Sequence, residues 1–255
     1  MTTRLEAPAQ EPFSIEKTVL EARGVVRRFG DTTALEGLDL AVRGGEVAAV
    51  VGPSGCGKST LLELFAGLQQ PDAGSVTAAG ACALMPQRDV LLPWRDALAN
   101  AGLALEVGGA SRAEARRAAE PLFRRFGLED FERAYPAELS GGMRQRVAFV
   151  RTLLVGRPVL LLDEPFGALD AITRAGIQEW LAEALAAERR TVVLVTHDVE
   201  EALYLSDRVV VLSPRPGRVV REIAVELPRP RPRRQTVVAP EFVALRGRAM
   251  EALEC

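Results

Sequence analysis

Val47-Ala48-Ala49-Val50-Val51 runs directly into Gly52-Pro53-Ser54-Gly55-Cys56-Gly57-Lys58-Ser59, and Thr60-Leu61-Leu62-Glu63-Leu64-Phe65-Ala66 follows. Five apolar residues without alternation read as a strand buried on both faces, and the seven after the loop carry helical spacing. The glycine-rich segment therefore joins a buried parallel strand to a helix. Its spacing is that of a phosphate loop, G-x-x-x-x-G-K-[ST]. Glycines let the backbone N–H groups curl around phosphates at a helix N-terminus, Lys58 sets a charge at the β/γ-phosphates, and the Ser59 hydroxyl can ligate Mg²⁺. The bland alternative is a turn with a solvated lysine. Against it stands the composition: Lys17 and Lys58 are the only lysines, and one falls on the required position.

Around this centre the chain alternates strands and helices. Val159-Leu160-Leu161-Leu162, Thr191-Val192-Val193-Leu194-Val195 and Arg208-Val209-Val210-Val211-Leu212 read as further buried strands, with a helix around Ala171 to Ala187. That is an α/β core. Val19 to Ala22 and Leu38 to Val42 nearly alternate around a turn at Asp31-Thr32-Thr33, which suggests an antiparallel β portion. Trp94 to Gly156 contains little that resembles strand, and Ser111-Arg112-Ala113-Glu114 is a capping-box start, so this stretch reads as a helical insertion. Pro228, Pro230 and Pro232 alternate with Arg229, Arg231 and Arg233, giving an extended linker before an amphipathic helix near Glu241 to Leu253.

Composition bounds the function. With 255 residues, 48% hydrophobic, the chain can bury a sizeable core, and 32 basic against 34 acidic side chains leave no basic excess for nucleic acid. Cys56, Cys82 and Cys255 are odd in number and widely spaced, which fits a reducing cytoplasm better than a disulfide framework. The opening MTTRLEAPAQEPFSIEK lacks the apolar stretch of a signal peptide, and no run approaches the roughly 18 apolar residues of a membrane helix. A soluble chain is expected, with any membrane role depending on a partner that spans the bilayer.

Two further signals narrow the chemistry. Asp163-Glu164 stands at the carboxyl end of the Val159 strand, where ligands of open α/β sheets bind. Asp163 can hold the Mg²⁺ shell and Glu164 can take a proton from an attacking water. Leu139-Ser140-Gly141-Gly142-Met143-Arg144-Gln145 precedes a helix upstream of that pair. Alone, the Ser-Gly-Gly is an ordinary N-cap. Together with the phosphate loop it resembles the signature sequence of ATP-binding cassette (ABC) ATPases.

The resemblance implies an α/β P-loop NTPase core of ABC type, with an antiparallel β portion and an inserted helical subdomain. It places a flexible tail at 1–17, the ATPase domain at 18–228 with the helical subdomain at about 93–157, and a linker with a short helix at 229–255. It assigns ATP to Gly52, Pro53, Ser54, Gly55, Cys56, Gly57, Lys58, Ser59 and Thr60, and Mg²⁺ to Ser59, Gln87 and Asp163. Ser140, Gly141 and Gly142 would be offered to the γ-phosphate on a second copy of the chain, with Asp170 of Ala168-Leu169-Asp170 at the dimer contact. Glu164, Gln87 and His197 would be catalytic. His197 is the chain's only histidine and follows a strand. Phe29 stands where the family usually puts an adenine-stacking Tyr; a Phe keeps the π-face and loses the hydroxyl. Met143 replaces the commoner Gln of the signature, at no chemical cost, because backbone and Ser140 make the contacts there.

Gln87 to Trp94, Leu139 to Arg146, Asp163 to Asp170 and Arg215-Pro216-Gly217-Arg218 are similar to the nitrate/sulfonate/taurine branch of bacterial ABC importers. The branch implies transmembrane permease subunits, an extracytoplasmic solute-binding protein reached through the permease, and a peripheral place on the cytoplasmic membrane face. Val90, Leu91, Leu92 and Trp94 are expected to form an exposed apolar set for the permease. Two rival readings fit the residues less well. A soluble ABC protein of DNA repair or translation would want a heptad coiled coil, a second cassette or a basic surplus. A small-molecule kinase would leave the Ser140 segment and His197 unused.

Overall fold

The computed structural model describes residues 17–188 and 190–254. The expected N-terminal tail, apart from Lys17, and Cys255 lie outside them.

Strand β3 (Val47–Val51) sits between β7 (Thr191–Thr196) and β8 (Arg208–Leu212) in a six-stranded sheet of order β5-β6-β7-β3-β8-β9, with β5 (Cys82–Met85), β6 (Val159–Asp163) and β9 (Val219–Ala224) completing it. The first five of these are parallel, and β9 runs antiparallel to β8. All five residues of β3 are buried. Their side chains alternate between two cores: Val47, Ala49 and Val51 face one, Ala48 and Val50 the other. This is why the strand shows no polar alternation. Both of its faces are covered.

One face carries α1 (Lys58–Phe65) and a three-stranded antiparallel sheet of order β2-β1-β4, formed by β1 (Thr18–Phe29), β2 (Thr32–Arg43) and β4 (Ala73–Ala78). β1 and β2 are twelve residues each, longer than their apolar pattern implies, because repeated register shifts break the alternation. The turn is Gly30-Asp31, with Phe29 already paired to Thr32, so Thr32 and Thr33 belong to the strand rather than to the turn. β4 reads AGSVTA, almost wholly exposed, and had no sequence signal to give.

The other face carries α5 (Ala171–Glu188), α6 (Val199–Leu205) and the helical insertion, in which α2 (Ala97–Val107), α3 (Arg112–Arg125) and α4 (Gly141–Leu154) lie between β5 and β6. Each insertion helix is capped by a side chain: Asp96, Ser111 in a full capping box, and Ser140. Phe126 joins the insertion to α5 through an edge contact with Trp180 at 4.6 Å between ring centroids. Residues 228–232 are not the free spacer their Pro–Arg alternation suggests. Arg231 is buried, and α8 (Pro240–Leu253), which follows the single turn α7 (Arg233–Thr236), packs Phe242 and Ala249 into the core against α6.

The loop after β8 is tied back to β2: Gly217 N–H donates to the Ala34 carbonyl at 2.9 Å, and Glu36 N–H donates to the Gly217 carbonyl. A Cβ at Gly217 would collide with the Cys56 carbonyl of the phosphate loop. Gly217→Ala should therefore lose about 1–3 kcal/mol of stability, the usual range for overpacking, read as a lower urea midpoint at unchanged m-value.

Candidate functional site

The parallel strands all end on one edge of the sheet, and each end delivers a polar residue to it. From β3 comes the phosphate loop; from β5, Gln87; from β6, Asp163 and Glu164; from β7, His197; from β8, Arg215. A cleft of about 460 Å³ opens there, lined by Phe29, Thr32, Ala34, Ser54, Gly55, Gly57, Lys58, Ser59, Thr60, Gln87, Glu164 and Arg215.

Gly57 ends the loop at φ +100°, where a side chain would be strained and a Cβ would strike Leu35. It is the N-cap of α1 and offers no side chain, so the first N–H groups of the helix point to the cleft without an internal acceptor. Lys58 is buried, and its ammonium donates to the Gly52 carbonyl at 2.7 Å and the Pro53 carbonyl at 3.0 Å. Of its three donors the last meets only the Cys56 sulfur, at 3.9 Å. Burial pushes the Cys56 thiol up from its ordinary range, against the Lys58 charge.

Asp163 is buried at the end of β6. Burial raises its pKa, the Ser59 hydroxyl opposes that, and the neighbouring Glu164 carboxylate adds to it. Glu164 has φ +47° and is held there by its N–H, which donates to the Val195 carbonyl at 2.8 Å. Non-glycine residues adopt that region only under constraint from the surroundings. The result is that Glu164 Oε2 lies 3.2 Å from His197 Nδ1 and 3.4 Å from Gln87 Nε2. Three strand ends meet at one carboxylate oxygen.

The remaining expected residues stand apart. Ser140 caps α4, accepting from Met143 N–H at 3.2 Å, and Gly142 packs beside Ala168 and Leu169. Asp170 caps α5, accepting from Ile172 and Thr173 N–H groups, which hold its carboxyl below the usual range. Neither segment lines the cleft of its own chain. Phe29 does line it, half exposed, with the Arg27 guanidinium 4.7 Å from the ring centroid.

Arg215 was not anticipated as a site residue. Its Nε donates to the Gly55 carbonyl at 2.8 Å, which brings a second cation to the loop. No local pattern in the sequence marks it: Arg215 reaches the loop because β8, the strand before it, pairs in parallel with β3. The apolar set after Gln87 also needs correction. Val90 and Trp94 are exposed, but Leu91 and Leu92 are half buried, because Leu91 packs on the core and the Leu92 backbone is fixed by the buried Asn100. Asp89 is bound by Arg144 Nε at 2.9 Å, and Arg151 donates to the carbonyls of Asp89 and Val90, so α4 grips this segment. A larger groove of about 920 Å³ lies between β1–β2 and β8–β9; of its three arginines, Arg208 is already paired with Glu46 and Glu222 at 2.7 Å each and Arg23 with Glu21 at 2.8 Å.

The model of the ABC transporter family matches residues 35–167. The chain belongs to the ABC transporter family. It is an ATPase, with the P-loop core and helical insertion of an ABC cassette. The aliphatic sulfonates import ATP-binding protein of Rhodococcus jostii is 49% identical over 84% of this chain and 86% of its own length. The corresponding protein of Rhodopseudomonas palustris is 42% identical over 96% and 86%. Among solved structures, the dimeric structure of MJ0796, a bacterial ABC transporter cassette, superposes with a TM-score of 0.75 at 31% identity, covering 82% of this chain and 99% of that one. A second dimeric structure of MJ0796, in a post-hydrolysis state bound to ADP and Pi, gives 0.74.

Behind His197 lies a buried carboxyl, Glu201 of α6. Burial raises its pKa to about 7 against the Thr196 hydroxyl, and Asp198 adds to the rise. Gln178 donates to one of its oxygens at 3.0 Å; the other has no partner. Between pH 4.5 and 7 the folded chain holds a proton that the unfolded chain has released, so this group makes stability fall as pH rises through that window. The total is on the order of 3 kcal/mol. Glu201→Gln should flatten the slope, giving a higher urea midpoint than the parent at pH 8 and a similar one at pH 5.

Proposed function

We propose that the chain is the ATP-hydrolysing subunit of an ABC importer for a small anionic solute, aliphatic sulfonates being favoured by its similarity to the aliphatic sulfonates import ATP-binding proteins. The observation that carries the hydrolytic part is the meeting of Gln87, Glu164 and His197 at Glu164 Oε2 beside the phosphate loop.

In this reading the loop N–H groups, Lys58, Ser59 and Thr60 bind the triphosphate, and Phe29 stacks on adenine with its free face. Arg215 adds positive potential at the loop's outer side. Mg²⁺ fits the donor set of the Ser59 hydroxyl, the buried Asp163 carboxylate and the Gln87 amide, all oxygen ligands of a hard cation. Bound there, it would neutralise developing phosphate charge. Glu164 accepts the proton of the attacking water, while His197 holds Glu164 and reaches the γ-phosphate.

Ser140, Gly141 and Gly142 form a second phosphate-directed helix start, and within one chain they do not line the cleft. A second copy supplies them across a homodimer, with Asp170 at the contact, consistent with the dimeric cassettes of similar fold. No helix among the described residues is long and apolar enough to cross a membrane, so separate permease subunits carry the solute and place this chain at the cytoplasmic membrane face. A solute-binding protein outside delivers the solute to them. Val90 and Trp94 are exposed and suit the permease contact, on a segment held from behind at Asp89 and Val90 by Arg144 and Arg151.

Glu164→Gln keeps the shape and removes the basicity. Its turnover should fall by ~10²–10⁴ while ATP still binds, so light scattering should show an ATP-dependent shift from one chain mass to two. Turnover at the parent rate would remove Glu164 from the mechanism, and a monomer at saturating ATP would remove the shared site. Separately, Trp94→Glu should abolish co-purification of the permease and leave the circular dichroism spectrum unchanged.

A further inference from the structure

The segment after β9 reads in the sequence as an extended linker, yet it carries a buried arginine, Arg231, that has no ion-paired carboxylate among the described residues. Arg231 Nη1 donates to the carbonyls of Leu203, Tyr204 and Ser206 at 3.2, 3.1 and 2.7 Å, and Nη2 donates to those of Val225 and Leu227. The first three are the orphan acceptors at the carboxyl end of α6, where the helix dipole is negative. Tyr204 returns the contact, its hydroxyl donating to the Arg231 carbonyl at 2.9 Å.

Further contacts hold the same helix, among them Arg229 Nη2 donating to the Leu205 carbonyl at 2.9 Å. Arg246 of α8 pairs with Glu200 in its first turn. Arg233 donates to Gln178 Oε1 at 2.7 Å, and Gln178 in turn donates to Glu201. The C-terminal segment thus grips α6 directly at its carboxyl end and, through Glu200 and, by way of Gln178, Glu201, at its first turn. At that start Asp198 caps the helix, and the residue before the cap is His197. The position of His197 is therefore set by β7 on one side and by α6 on the other.

We propose that residues 229–253 act as a clamp on α6, with Arg231 as the positioning residue that fixes where His197 stands relative to Glu164. This rests on the catalytic reading of His197 given above. The polar contacts of Arg229, Arg231, Arg233 and Arg246 run to α6, to the loops at its end and after β9, and to Gln178 of α5, and none reaches the phosphate loop or α1, so nucleotide affinity and turnover should separate.

The test uses the full chain. Arg231→Lys keeps the charge, but a point donor cannot serve five carbonyls in two directions. Turnover at saturating ATP should fall on the order of ten- to a hundredfold, while the ATP dissociation constant changes less than about twofold. Hydrogen exchange should quicken at residues 197–203 and stay as it was at 58–65. Arg246→Ala, at a half-exposed pair, should give a smaller loss of the same kind and serves should Arg231→Lys not fold. Affinity and turnover falling together, or exchange quickening evenly over both segments, would make the segment merely structural and overturn the proposal. His197→Ala is measured alongside: parent-level turnover in that variant would instead overturn the catalytic reading on which the clamp rests.

Discussion

Val51 is paired in parallel with Thr196 on one side and Val211 on the other, and this register is what the rest of the site depends on. Parallel pairing puts the carboxyl ends of neighbouring strands at one edge, so the loop that follows β3 is flanked without further adjustment by His197 and Arg215. The same pairing, carried through β7 to β6 and β5, brings Glu164 and Gln87 to that edge. The chemistry is assembled from residues more than a hundred positions apart because the order β5-β6-β7-β3-β8 sets their strand ends side by side.

That edge concentrates charge in a place poor in water. Lys58 and Asp163 are both buried, a cost that is tolerable only if each is satisfied. Lys58 spends two donors on loop carbonyls, and Asp163 takes a hydroxyl from Ser59. A triphosphate with its cation would replace weak partners by strong ones on both sides. The site is in this sense held short of its best interactions until ligand arrives, which favours binding of highly charged groups over neutral ones.

What could be read in the sequence and what could not divides along physical lines. The phosphate loop, the Asp163-Glu164 pair and the Ser140 cap were legible because each needs particular residue types at fixed local spacing. β4 was not, since an exposed edge of small residues carries no hydrophobic period. Arg215 was missed because only the pairing of β8 with β3 makes it a neighbour of Gly55. Leu91 and Leu92 read as surface, because neither the core contact of Leu91 nor the buried Asn100 that fixes the Leu92 backbone gives a sign in the sequence. Arg231 was hidden best of all: buried arginines are rare, and alternation with proline reads as a spacer.

The sheet order has a consequence for how the molecule comes into being. β3 leaves the ribosome early, but both strands that flank it are made about 140 or more residues later. Until they arrive, Val47 to Val51 is an apolar ribbon with two open edges and the loop after it has nothing to hold its curvature. The nascent chain cannot build a nucleotide pocket piecemeal. Such long-range closure folds slowly, and a ribbon of this kind is prone to pair with the wrong neighbour meanwhile.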